Sequence, residues 1–308
     1  MHRPDRVDAV HRYLCHVPER IYVTYHYAPV DRPRVQQMFL DAGLLDLVVD
    51  SDRLTGRHKV VVPGEDALAR LLTSALMHTL PAPAVHRVLE PTPKELAAAR
   101  LLHMFVWIHH SPEGHPRDGT SYDDSNACSG CGNGLRQTSP LVLKPKEIPA
   151  SGVLGSVGDD VLVHESLMKE MQDAGLTGFR LGEVQDVKGG ALPWRQLFVE
   201  HEMPGMTAAS RGLVRGRSRG EAPCARCGSD GWFDTRSDPF IPAYARPALA
   251  RMPDFARTAE RFGTGQWAEP VHGQRVVAQS RLIVRPAVYA FFRARKIRGV
   301  RFSPVAVG

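Results

Sequence analysis

Two short cysteine motifs constrain the fold of this chain more than any other feature of its sequence. They are CSGCGNG, which begins at Cys128, and CARCGSDG, which begins at Cys224. Each has two residues between its cysteines and a glycine after the second. In such a turn two thiolates can reach one ion, while glycine allows the left-handed backbone that the turn requires. One turn supplies only two of the four ligands of a tetrahedral ion. We therefore expect Cys128, Cys131, Cys224 and Cys227 to bind a single structural Zn²⁺.

The sequence leaves other interpretations of these cysteines open. The 92 residues between the two motifs exceed the spacing of a compact zinc ribbon, although the entropy of loop closure grows only logarithmically with length. Each pair could instead form its own site with histidines, and His109, His110 and His115 lie near the first pair. Redox chemistry and disulfides are further alternatives. The shared site agrees best with the pattern, because redox C-x-x-C motifs follow an apolar strand and these lie in turns rich in Gly, Ser and Asn.

The composition is that of an ordinary globular chain. Of its 308 residues, 43% are hydrophobic and 23% are charged, so a core can form without a metal. We find neither a secretory signal nor a run of about 18 apolar residues, which favours a cytoplasmic protein with no membrane span. The net charge of +6 is modest. Arginine is preferred over lysine, which is as consistent with GC-rich coding as with anion binding.

An internal repeat follows the cysteine motifs. Residues 161–184 align without gaps on residues 282–305, with Gly178 opposite Gly299. Each copy is typical of a strand, a helix that closes at a turn, and a second strand. Because a βαβ unit cannot bury its own faces, we expect the two copies to pack together or to extend one sheet. A weaker third match lies at residues 36–49.

A proline-rich stretch before residue 93 divides the chain into an N-terminal α/β region of unknown role, residues 1–92, and a zinc-binding region, residues 93–308. The second region holds one repeat over about 128–200 and another over about 224–308. Periodicity predicts strands at 20–27, 44–49, 58–62, 103–110 and 194–200, and helices at 33–42, 66–80 and 93–102. The predicted fold class is therefore α+β, with a four-cysteine, zinc-ribbon-like site linking two βαβ-type repeat units.

Two other groups of residues are weaker candidates for function. Asp123 and Asp124 precede the first motif, and we expect them to hydrogen-bond the cysteine loop or to cap a turn beside it. The basic loop RGLVRGRSRGE is a candidate contact for nucleic acid, although it lacks aromatic residues for base stacking. Its arginines are Arg211, Arg215, Arg217 and Arg219. The motifs of zinc proteases, nucleotide-binding loops and serine hydrolases are all missing, so no enzyme is predicted.

The motifs CSGCG and CARCG, each followed by a unit that ends in G-x-R-x-x-x-V, together resemble the bacterial double-CXXCG motif family. The resemblance spans roughly residue 100 to the C-terminus, and the four motif cysteines occupy the matching positions. It implies a non-catalytic, zinc-stabilised protein-binding module. Some members of the family are immunity proteins, so the implied partner is a protein such as a cognate toxin. The alternative is a zinc-ribbon protein that binds nucleic acid or the ribosome.

Overall fold

The computed structural model describes most of the chain, with gaps at residues 1–18, 27–30, 45–47, 53–56, 74–83, 107–113, 115, 157–159, 216–223, 229–230, 236–237, 264–265, 268–274 and 277. None of the helices in the described ranges is both long and apolar enough to cross a membrane. Some residues that carry sequence predictions lie outside those ranges, namely His109, His110, His115, Arg217 and Arg219.

The structure is mixed α/β. Its α-helices are α1 (Arg32–Asp41), α2 (Glu65–Thr73), α3 (Pro93–Ala98), α4 (Glu165–Asp173) and α5 (Pro286–Ala294). The strands of the N-terminal half are β1 (Glu19–His26), β2 (Val48–Asp52), β3 (Arg57–Val62), β4 (Ala84–Leu89), β5 (Leu102–Val106), β6 (Tyr122–Asp123), β7 (Arg136–Gln137), β8 (Leu141–Leu143) and β9 (Val153–Gly155). Those that follow are β10 (Val161–His164), β11 (Arg180–Asp186), β12 (Ala191–Phe198), β13 (Leu213–Arg215), β14 (Trp232–Asp234), β15 (Ala243–Tyr244), β16 (Phe255–Arg257), β17 (Gln266–Trp267), β18 (Arg275–Val276), β19 (Leu282–Val284), β20 (Val300–Pro304) and β21 (Ala306–Val307).

The N-terminal sheet has the strand order β2-β3-β1-β4, in which every neighbouring pair is antiparallel. With its two helices it forms the β-α-β-β-α-β arrangement called ferredoxin-like. The helices bury their apolar faces on the sheet, and Phe39 of α1 meets the ring of Tyr25 edge to face at 5.5 Å. Most predicted elements of this region are present. One exception is the second strand, predicted at 44–49, which the structure describes from Val48 onwards. The other is the second helix, predicted at 66–80, whose last predicted turns lie outside the described residues.

Two further sheets repeat this strand order. In the middle sheet, β10 and β11 flank the antiparallel β12, while β9 lies outside β10 and β8 lies outside β11. In the C-terminal sheet, β19 and β20 flank the antiparallel β5, and β16 lies outside β19. In all three sheets a strand-helix-strand segment supplies two parallel strands, and an antiparallel strand lies between them. Each copy of the sequence repeat is therefore a split βαβ unit.

The C-terminal sheet takes its central strand from a distant part of the chain. In the first two sheets, the central strands β3 and β12 follow the segment that they complete. In the third, the central strand β5 lies before the first cysteine motif, far from β19 and β20 in sequence. One sheet therefore joins the chain before the first cysteine motif to the chain after the second.

The helices of the three units end in the same way. After α1, α4 and α5 the chain turns through a left-handed residue, namely Gly43 (φ 67°), Gly175 (φ 70°) and Lys296 (φ 54°). In each case the next N–H donates back to a carbonyl in the last turn of the helix, as from Leu176 to Met171 at 3.1 Å. This is the hydrogen bond of a Schellman-type cap. The weak match at residues 36–49 thus has the local geometry of the two strong copies.

The two strong copies share one hydrophobic core. Leu167 and Met171 of α4 enter the same buried cluster as Val288 and Phe292 of α5. The turn after α4 also bonds the edge of the C-terminal sheet, because the Thr177 carbonyl accepts from the Phe255 N–H at 3.0 Å. The two units therefore pack against each other through their helices and turns, as two halves of one body.

Lys296 provides a test of the shared helix cap. A side chain other than glycine in the left-handed region costs about 1 kcal/mol, partly offset because glycine loses more entropy on folding. We expect Lys296→Gly to raise the free energy of unfolding by up to about 1 kcal/mol. The reverse exchange, Gly175→Lys, should lower it by about 1 kcal/mol, since space around Gly175 is open. Urea denaturation measures the free energy of unfolding of both variants. Equal effects of the same sign would contradict the equivalence of the two helix caps.

Candidate metal centre

Each cysteine motif lies at the tip of a β-hairpin. The first loop joins β6 to β7, with Tyr122 opposite Gln137 in the antiparallel register. The second loop joins β13 to β14, with Arg215 opposite Trp232. A hairpin brings both cysteines of its loop to one end and leaves their side chains free to point towards a second loop. The two tips meet, although the sequence separates them widely.

The four sulfurs form one compact cluster. Their Sγ atoms all lie within 4.8 Å of one another. Between the loops, Cys128 Sγ is 3.7 Å from Cys224 Sγ, and Cys131 Sγ is 3.5 Å from Cys227 Sγ. Cys131 and Cys224 are buried, whereas Cys227 is exposed at the rim. These distances are too long for disulfides, so the cluster is a set of thiols that can hold a metal ion.

The two turns have the same backbone geometry. The N–H of Gly132 donates to the Cys128 carbonyl at 2.7 Å, and that of Gly228 donates to the Cys224 carbonyl at 2.8 Å. Both glycines are left-handed, with φ of 69° and 66°. The glycine after each second cysteine therefore has the conformational role that the motif predicts.

Backbone N–H groups prepare two of the sulfurs for ionisation. Those of Arg226 and Cys227 lower the pKa of Cys224 to about 6. Those of Gly130 and Cys131 lower the pKa of Cys128 below its usual range. Burial has the opposite effect on Cys131 and raises its pKa to about 12. A cation bound at the cluster would compensate the charge of the buried thiolate, because a metal ion favours the deprotonated form.

Contacts beyond the cysteines hold the loops in place. The Arg226 guanidinium donates to the Ser129 hydroxyl and so joins the two loops directly. Gly130 lies so close to the second loop that a Cβ atom there would be 3.1 Å from Cys224 Sγ. Sequence reasoning missed both contacts. In the sequence, the only signal for these two contacts is the small size of the residues between Cys128 and Cys131.

The predicted supporting residues lie beside the site. Asp123 accepts the N–H of Ser125 at 2.9 Å and so caps the turn that leads into the first loop. Hydrogen bonds from the side chain and the backbone of Ser125 lower the pKa of the Asp123 carboxyl. The Asp124 side chain is exposed, and its carbonyl accepts the N–H of Ala127 at 2.8 Å. Both residues thus shape the approach to Cys128 rather than contact its sulfur.

The predicted basic loop is only partly described. Arg211 is exposed and forms an ion pair with Asp238 at 3.9 Å, while its backbone bridges to Ile241. Arg215 is exposed at the end of β13. The structure therefore places the first two arginines on the hairpin that carries the second cysteine motif.

No protein-family model matches the chain, and a search of curated proteins also finds no match. The resemblance to the double-CXXCG family therefore stays a prediction. What the cysteine cluster does has to be inferred from the chemistry of this chain's own residues.

Two loop glycines test how tightly the first turn is built. Gly134 has φ 96°, and a Cβ atom there would lie 2.5 Å from the Asn126 carbonyl oxygen. Gly228 is also left-handed, but the space around it is open. We expect Gly228→Ala to cost about 1 kcal/mol and Gly134→Ala to cost at least twice as much. Urea denaturation in reducing buffer measures the difference; equal costs would contradict this packing of the loop.

Proposed function

We propose that Cys128, Cys131, Cys224 and Cys227 bind one structural Zn²⁺ ion in a zinc-ribbon-like site. The observation that carries this proposal is the spacing of the sulfurs. A tetrahedral ion with Zn–S bonds of about 2.3 Å needs sulfurs about 3.8 Å apart. The two distances between the loops, 3.7 Å and 3.5 Å, are close to that value. Only small adjustments of the loops are therefore needed to complete the tetrahedron.

The donor set favours zinc. Tetrahedral sites made of four sulfurs hold zinc or iron, whereas magnesium and calcium prefer oxygen ligands. Four thiolates leave no coordination position for a water molecule or a substrate, and zinc has no redox chemistry of its own. The centre is therefore structural, and the protein is non-catalytic at this site.

The hairpins that carry the cysteines are anchored to different parts of the fold. At the base of the first, the side-chain amides of Gln137 and Gln196 bond each other, at 2.9 Å and 3.0 Å, which ties β7 to the middle sheet. At the base of the second, the N–H of Trp232 donates to the Arg261 carbonyl at 2.8 Å. A metal cross-link at the tips thus connects the middle sheet to the chain segment beyond β16.

We further infer that this scaffold acts by binding a macromolecule. The double-CXXCG resemblance supports a protein partner, with a cognate toxin as the example that it implies. Loss of a purified toxin's activity on stoichiometric addition of this protein would support that example. The alternative is nucleic-acid binding, and it is supported by Arg281 and Arg301, which line a cavity with Phe105 on the C-terminal sheet.

Metal analysis tests the zinc site directly. We expect the purified, reduced protein to contain one zinc per chain by plasma mass spectrometry. Cys128→Ser and Cys224→Ser should each lose the zinc, and the temperature of unfolding should fall, because metal affinity is part of the folding free energy. Cys15→Ser is the matched control, since Cys15 belongs to neither motif, and it should keep the zinc.

Two outcomes would overturn the structural zinc. The first is a reduced wild-type protein that contains no zinc and whose unfolding temperature does not change when zinc is added. The second is iron in place of zinc, detected by the same metal analysis, which would indicate an electron-transfer or sensing centre.

A further inference from the structure

The outer face of the C-terminal sheet carries an exposed aromatic ring. On the central strand β5, Leu102, Met104 and Val106 face the helices and are buried. Because side chains alternate along a strand, Phe105 points to the opposite face, where 44% of it is exposed. It lines a cavity of about 240 Å³ between β4, β5 and β20.

Two arginines lie on either side of this ring. Arg301 is the direct cross-strand neighbour of Phe105 in the register of β20. Arg281, just before β19, lines the same cavity. Its guanidinium lies 4.5 Å from the ring centre of Phe240 and 4.1 Å from that of Phe262, so aromatic contacts hold it in place. The row Arg301–Phe105–Arg281 thus places one planar apolar group between two fixed positive charges.

The described walls of this cavity carry arginines, and none of the described residues that line it is acidic. A third arginine, Arg87, is paired with Glu19 and Glu65, so it adds little net charge. Burial and the charge of Arg281 lower the pKa of His103 to about 3, so its ring is neutral at physiological pH. The basic groups that lie beside Phe105 in this cavity are therefore Arg281 and Arg301.

The cavity continues into a groove between the C-terminal and middle sheets. A second cavity of 270 Å³ shares Phe105 and Arg281 with the first. A third, of 260 Å³, shares Ser280 with the second and adds Arg257 and Arg261. The buried hydroxyl of Ser280 has no hydrogen-bond partner among the described residues. We call these three adjoining cavities the Arg281 groove.

Polar groups form the far wall of the Arg281 groove. Gln137, Gln196 and Gln279 line it, and the amides of Gln137 and Gln196 bond each other and so fix that wall. Asp160 is the one carboxylate among the described lining residues, and it accepts hydrogen bonds from Gln196 and Ser156. An acidic peptide would find the arginines but would leave the exposed ring of Phe105 unused.

We propose that the Arg281 groove binds single-stranded nucleic acid, with a base stacked on Phe105 and phosphates on Arg281 and Arg301. An exposed aromatic ring between cations is the arrangement by which proteins hold single strands. A duplex is disfavoured, because its bases are already stacked and cannot reach the ring. This proposal rests on the nucleic-acid alternative of the proposed function and does not depend on the identity of the metal.

Fluorescence anisotropy of the full-length protein tests the groove. The probe is a labelled single strand of about 12 nucleotides, within the range that such grooves accommodate. We expect Phe105→Ala to weaken binding about tenfold or more, and Phe105→Trp to keep it, because stacking needs only an aromatic face. Val187→Ala removes an apolar side chain that is 49% exposed elsewhere, and it should bind like the wild type.

Salt dependence tests the two arginines. Affinity should fall between about 50 mM and 200 mM salt, with a slope of about −0.7 per phosphate contact. Arg281→Gln and Arg301→Gln should each reduce the magnitude of that slope by about 0.7. Arg293→Gln changes an exposed arginine on α5, which packs on the other face of the sheet, and should leave the slope unchanged.

Several results would overturn the groove proposal. They are failure of the metal-loaded wild type to bind the probe, equal binding by Phe105→Ala, or full displacement of the probe by an acidic peptide or a duplex of the same length. Metal content and circular dichroism of each variant separate loss of the groove from loss of the fold. Since these variants leave the cysteines intact, failure here would not affect the zinc proposal.

Discussion

The pairing of β5 with β19 and β20 is the constraint on which the rest of the structure depends. It inserts a strand from before the first cysteine motif into a sheet whose other strands follow the second motif. The ends of the long loop between the motifs are thereby fixed by the sheet. The entropic cost of bringing the two hairpin tips together is therefore smaller than their separation in sequence suggests. The same strand places Phe105 between Arg281 and Arg301.

Much of the local structure could be predicted from the sequence, because it depends on local patterns. The repeat marks its strand, helix and turn in both copies, and α3 begins at residue 93, as predicted, where Thr92 and Glu95 form a capping box. The order of strands could not be predicted. Periodicity predicts a buried strand at 103–110, where the structure has β5 over Leu102–Val106. It does not show which strands lie beside it, since that depends on contacts far apart in sequence.

The cysteine cluster could be predicted as a set, because a tetrahedral ion needs four ligands and each turn supplies two. The groove could not be predicted from the sequence. Sequence reasoning searched for nucleic-acid contacts in the loop that contains Arg211 and Arg215, and that loop has no aromatic residue. Phe105 and Arg301 lie on β5 and β20, and Arg281 directly precedes β19; these strands are adjacent only in the folded sheet. Such a site has no linear motif, so only the strand register reveals it.

The cysteine cluster and the groove are mechanically connected. Gln137, at the base of the first hairpin, lines the groove and bonds Gln196 of the middle sheet. Trp232, at the base of the second, bonds Arg261 and Gly263, which line the opposite side. Cross-linking the hairpin tips therefore fixes the distance between the two walls of the groove. A structural metal at the tips would thus hold the groove open at a defined width, because a preformed site loses less entropy when its ligand binds. On this basis the proposed structural metal lies beside the proposed groove because it sets the width of that groove.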